Sequence, residues 1–94
     1  MYSLYTDPPM FNVIGQVTGS ATALQFPDTP CLMLKLKALT PNIGSFFLGD
    51  QSGRTYWELD AGQETDWIPV GNMNQFWHRD PSGSADKLSW WLQK

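Results

Sequence analysis

The chain has 94 residues, enough for one domain with a modest core. Charged residues make up only 16% and hydrophobic residues 41%, where a charged share of roughly 25% is usual. Net charge is −3, and six scattered Lys and Arg residues do not form the basic stripe of a nucleic-acid binder, so no nucleic acid is expected as a partner. Cys31 is the single cysteine, which excludes an intrachain disulfide and a thiolate metal cluster and leaves a small, half-buried strand residue.

Residues 1–11 carry Tyr2, Leu4, Tyr5, Met10 and Phe11 around Pro8-Pro9. This is too apolar for a solvated tail and too interrupted by proline for a helix. The segment predicts an extended N-terminal arm, lying either on its own domain or across a neighbouring subunit. It has no basic n-region followed by a continuous apolar run, so it does not read as a signal peptide. No stretch approaches the ~20 apolar residues of a membrane span, so no membrane partner is expected.

From residue 12 onward, short strand-like runs alternate with turn signals, and residues 12–94 read as one domain. Residues 13–18 and 21–26 flank Gly19-Ser20, a two-residue hairpin candidate. Pro27-Asp28-Thr29-Pro30 is a turn. Residues 31–39 alternate most cleanly, with Leu32, Leu34, Leu36 and Ala38 on one face and Cys31, Met33, Lys35 and Lys37 on the other. Turns at 41–44, 50–53, 60–63, 71–74 and 80–84 separate strands at 45–49, 55–59, 64–70, 75–79 and 87–93. Turns about every ten residues without a helical period predict a single antiparallel β-sandwich or jelly roll of seven to eight strands. A short helix is conceivable only around 84–88.

Four aromatic doublets stand in these strands: Phe46-Phe47, Tyr56-Trp57, Phe76-Trp77 and Trp90-Trp91. Successive strand side chains point to opposite faces, so each doublet sends one ring inward and one outward. The alternation places Leu32, Leu34, Leu36, Phe46, Leu48, Trp57, Leu59, Ile68, Val70, Met73, Phe76, Leu88, Trp90 and Leu92 inside. It leaves Met33, Phe47, Tyr56, Trp67, Trp77 and Trp91 outside. Together with Tyr2, Tyr5 and Phe11 of the arm, these form the candidate oligomer and docking surface. Contiguous exposed apolar patches usually mark an interaction surface. Burying four rings contributes about 6–12 kcal/mol gross, against roughly 4–15 kcal/mol for association and ordering. One such patch is marginal, and a closed oligomer with repeated contacts holds better.

Signals for chemistry are weak. His78 is the lone histidine and reads as an ordinary strand residue. Asp60, Glu64 and Asp66 near a turn fall short of a calcium loop in spacing and ligand count. Phosphate loops and a G-x-S-x-G elbow are missing. Neither catalysis, a cofactor nor a metal is expected.

Residues 22–94 resemble small virion proteins of tailed bacteriophages. The pieces that carry the likeness are Phe26-Pro27 and Pro30-Cys31, then Lys37-Ala38, then Asn42-Ile43-Gly44 with Phe46-Phe47-Leu48-Gly49. Leu59-Asp60-Ala61-Gly62, Asn72-Met73-Asn74-Gln75-Phe76-Trp77 and Gly83 with Leu88-Ser89-Trp90-Trp91-Leu92 complete it. The heavy tryptophan load and the arm depart from the pattern. The resemblance implies a β-sandwich or jelly-roll structural protein of the virion and no catalytic residues. The expected function is a homo-oligomeric, trimeric capsid decoration (cement) protein docked on the major capsid protein at the capsid surface. The alternative is a carbohydrate-binding module or a tail- or head-fibre adhesin, with Trp67, Trp77 and Trp91 as a stacking platform.

Overall fold

The computed structural model describes residues 12–94; the expected arm, with Tyr2, Tyr5 and Phe11, lies outside the described residues. Eight strands follow one another: β1 (Asn12–Thr18), β2 (Leu24–Gln25), β3 (Met33–Ala38), β4 (Phe46–Gly49), β5 (Trp57–Leu59), β6 (Ile68–Pro69), β7 (Trp77–Arg79) and β8 (Lys87–Gln93). The short stretch 84–88 forms no helix. A single 3₁₀ turn instead spans Met73–Gln75.

The strands form two four-stranded antiparallel sheets, ordered β1-β8-β3-β6 and β2-β7-β4-β5. First pairs with last, second with seventh, third with sixth and fourth with fifth, as in one long hairpin rolled upon itself. That is the jelly roll. The predicted hairpin at Gly19-Ser20 is therefore corrected: β1 and β2 belong to different sheets, and the chain crosses between them there. The Gly19 amide donates to the Asp86 carbonyl and the Asp80 amide to the Ser20 carbonyl, so neighbouring loops, not β2, satisfy the crossing.

Alternation fixes the core. Leu34, Leu36 and Ala38 of β3 meet Leu88 and Leu92 of β8 from one sheet, and Phe46, Leu48 and Leu59 face them from the other. Phe26 and Cys31, which flank the 27–30 turn, are also buried there, with the Cys31 thiol donating to the Val70 carbonyl. Val17, Val70, Phe76 and Trp90 pack around this set. The Trp90 indole lies under β1, where any Cβ at Gly15 would overlap it. A glycine inside a strand marks such a close approach.

Two inward assignments are corrected. Leu32 precedes the first residue of β3 and is exposed, because the chain there is still leaving the turn. Trp57 lies in the inward row Leu24–His78–Leu48–Trp57 across the second sheet. β5 is the outer strand of that sheet, and Trp57 remains 70% exposed.

The two ends of the sandwich are closed differently. At one end Met73 is fully buried, and Asn72 braces it: its Oδ1 accepts from the Asn74 and Thr29 amides, and its Nδ2 donates to Asp28. At the other end sit two buried carboxylates. Asp86 accepts from the Ile43 and Gly44 amides, each at 2.9 Å, and from Ser82 Oγ. Asp80 accepts from Ser82 Oγ and from the Asp86 amide. Asn42 and Lys87 exchange two further bonds, fastening the 40–45 loop to the start of β8. Ala85 adopts a φ of 58° immediately before Asp86, a left-handed conformation that costs an L-residue about 1–2 kcal/mol.

His78 is buried between Phe26 and Phe46, with ring centroids 4.7 and 6.1 Å away, and its Nδ1 has no partner among the described residues. Burial pushes its imidazole below the usual value. The unfolded chain titrates near ~6.5 and binds more protons than the folded one just below that pH. His78 therefore costs nothing above ~6.5 and destabilises progressively as the pH falls through it. Asp86 acts lower on the scale. Burial raises its carboxyl, but the Ile43 and Gly44 amides, Ser82 and Asp80 outweigh that and hold it below the ordinary value. Its contribution is present above the unfolded carboxylate value of ~3.9 and is lost as pH falls through the depressed one. Urea midpoints should thus decline in two steps on acidification. His78→Leu should flatten the first step only, and an unchanged upper step in that variant would contradict the assignment.

Candidate docking surfaces

Because strands of one sheet share a face, cross-strand rows show which outward residues meet. On the outer face of the first sheet, Ile14, Trp91 and Lys35 lie opposite one another across β1, β8 and β3. Trp67, just before β6, packs edge-on against Trp91 at 5.8 Å, and Lys35 Nζ lies 5.7 Å from the Trp67 ring centre. Met33 stands beside this group, opposite Gln93 and Pro69. Met33, Trp67 and Trp91 are therefore one patch, to which the structure adds Ile14, 66% exposed.

The second sheet presents a separate face. Glu58, Phe47 and Arg79 form a row across β5, β4 and β7. The Arg79 guanidinium lies 5.2 Å from the Phe47 ring centre and its Nε donates to Thr55 Oγ1. Such a cation over a ring face contributes about 0.5–1 kcal/mol at an exposed site. Trp77 lies in the next row, between Gln25 and Gly49. At Gly49 the Arg54 carbonyl and the Thr55 backbone occupy the place a Cβ would take, so only glycine fits beside Trp77 there.

The outward residues thus do not converge on a single patch. Met33, Trp67 and Trp91 occupy one outer face, Phe47 and Trp77 the opposite one, and Tyr56 a third place at the β5 margin. Tyr56 and Trp57 depart from the one-in, one-out pattern, since both are exposed, at 79% and 70%. Tyr56 precedes β5, and Trp57 lies beyond the cover of the first sheet. Beside Trp57 a cleft of about 530 Å³ opens between β5 and β6, lined by Leu48, Leu59, Ile68 and Phe76 together with Glu64 and Asp66.

Ile43, like Ile14, is an exposed apolar residue that sequence reasoning missed. Its side chain is 81% exposed at the tip of the 40–45 loop, while its own amide is held by Asp86. An exposed apolar side chain on a loop held by two backbone amides on Asp86 and by the Asn42 side chain on Lys87 is already ordered before it meets a partner, which lowers the cost of docking. The signal was the Asn42-Ile43-Gly44 turn, where an isoleucine is otherwise out of place.

Among the described residues, no three His, Cys, Asp or Glu side chains gather into a metal-ligand set, and no helix is long and apolar enough to cross a membrane. Comparison of the chain with family models, with curated proteins and with solved structures gives no match.

The exposures set an order of chemical reactivity. Limited oxidation with N-bromosuccinimide, mapped by peptide mass spectrometry, should modify Trp57 first and Trp91 (41% exposed) next. Trp90, packed on the core, should react only on unfolding. Early oxidation of Trp90 would contradict the face assignment.

Proposed function

We propose that this protein is a structural subunit of a tailed-bacteriophage virion, a homotrimeric decoration protein that cements the capsid surface by docking on the major capsid protein. The observation that carries the reading is that both outer faces of a two-layer fold bear aromatic rings. A monovalent binder needs one such surface. A subunit in a shell needs at least two, one for its neighbours and one for the layer beneath.

Magnitudes favour the same arrangement. Each outer face offers two rings, at most about 3–6 kcal/mol gross because they are already partly covered in the subunit, which reaches only the low end of the roughly 4–15 kcal/mol cost of association. Neither face holds a partner alone. Repetition around a closed ring on a lattice supplies the missing stability through effective concentration. The resemblance of residues 22–94 to small virion proteins gives this physics its setting.

The carbohydrate-binding alternative loses its three-tryptophan platform, since Trp77 lies on the sheet opposite Trp67 and Trp91. Stacking on sugar would fall instead to Trp57 beside Glu64 and Asp66.

Light scattering of the purified chain should give a trimer mass or a multiple of it, and a strict monomer at micromolar concentration would overturn the oligomeric reading. Purified virions should contain the chain on the capsid surface, and its absence there would overturn the location. Removing residues 1–11 should lower capsid occupancy; full occupancy without them would deny the arm a role. Oligosaccharide binding lost on Trp57→Ala, in a chain absent from virions, would establish the alternative.

A further inference from the structure

Among the described residues, the longest strand edge without a partner lacks the features that normally guard one. β1 runs seven residues and pairs with β8 along its whole length; among the described residues no strand pairs with its other side. The other outer strands, β2, β5 and β6, are only two, three and two residues long. Sheet edges are usually blunted by shortness, by lysine or proline, or by a bulge, because their unpaired N–H and C=O groups template another strand. The β1 sequence, NVIGQVT, has no charge and no proline, and its register with β8 is unbroken. Val13 and Ile14 remain 38% and 66% exposed on it.

The same seven residues say what completes the edge. Directly opposite residues of an antiparallel pair share a face of the sheet. Val13, Gly15 and Val17 lie on the core face, opposite Leu92, Trp90 and Leu88, while Ile14 and Gln16 lie on the outer face. A second β1 laid antiparallel about Gly15 sets Val13 against Val17, Ile14 against Gln16, Gly15 against Gly15 and Asn12 against Thr18. Apolar meets apolar on the core face. A slip of the pairing sum by one residue would set core-face residues against outer-face ones, which a continuous sheet forbids. A slip by two leaves residues of each strand unpaired.

We propose that β1 strands of two copies pair antiparallel about a two-fold axis at Gly15, merging two four-stranded sheets into one of eight strands. The contact is isologous, so it joins two single chains or two larger rings in the same way. It does not depend on the virion reading; within that reading it links neighbouring knobs across two-fold positions of the shell.

Two charge variants test it. Ile14→Glu/Gln16→Glu and Ile14→Lys/Gln16→Lys alter side chains that are exposed in the subunit. In the pair, each residue 14 faces a residue 16, so either variant sets like charges against each other twice. Light scattering at high micromolar concentration should give each variant half the mass of the unmodified chain. A one-to-one mixture of the two should restore the full mass, with mixed pairs seen by native mass spectrometry. Equal mass for the unmodified chain and both variants, or no recovery on mixing, would overturn the proposal. Should the variants lose their β circular dichroism, amide exchange on the unmodified chain decides instead. Protection of β1 amides that rises with protein concentration supports the pairing, and protection independent of concentration overturns it.

Discussion

Every strand has two faces, and in a two-layer sandwich only one of them reaches the core. That constraint governs the molecule. Leu34, Leu36, Leu88, Leu92, Phe46 and Leu48 fill the space between the sheets, and each brings neighbours that must point the other way. Where the neighbour is Lys37 or Ser89, solvent receives it without cost. Where it is Phe47, Trp77 or Trp91, the fold carries apolar surface outward, and the jelly roll distributes that surface over opposite sides.

A rolled hairpin also has ends and edges, and this chain treats them unequally. The ends are closed by specific polar work: Asn72 around Met73 at one, and Asp80, Ser82 and Asp86 at the other. Buried carboxylates are tolerated there because each oxygen has a donor, several of them backbone amides that would otherwise be orphaned. The same bonds hold Ile43 out into solvent on a fixed backbone. Among the described residues the edges are left open, with Trp57 and its cleft on one side and the uncharged β1 on the other. Rigid ends and open edges suit a subunit that docks as a preformed body, where little is spent on reordering itself.

Much of this was legible in the residues. Eight strands and the all-β architecture follow from turn spacing and alternation, and β3, β4 and β8 bury the side chains that the period of two assigns inward, whereas the expected strands at 21–26 and 64–70 are each only two residues long. The misreadings fall where local pattern meets topology. Gly19-Ser20 has hairpin chemistry, but whether a turn closes a hairpin or crosses between sheets depends on strands far away in sequence. Leu32 and Trp57 fit the alternation yet lie beyond the ends or the cover of the opposing sheet.

By itself, then, the sequence determined that this is a β protein with more aromatic rings than one core can take, because alternation is a local property of the extended chain. Only the tertiary structure decided where the surplus goes. Pairing order set Trp67 beside Trp91 and turned Phe47 and Trp77 to the other side, and it made β1 an outer strand. Those outcomes depend on contacts between residues dozens of positions apart, such as β1 with β8, which no local period encodes.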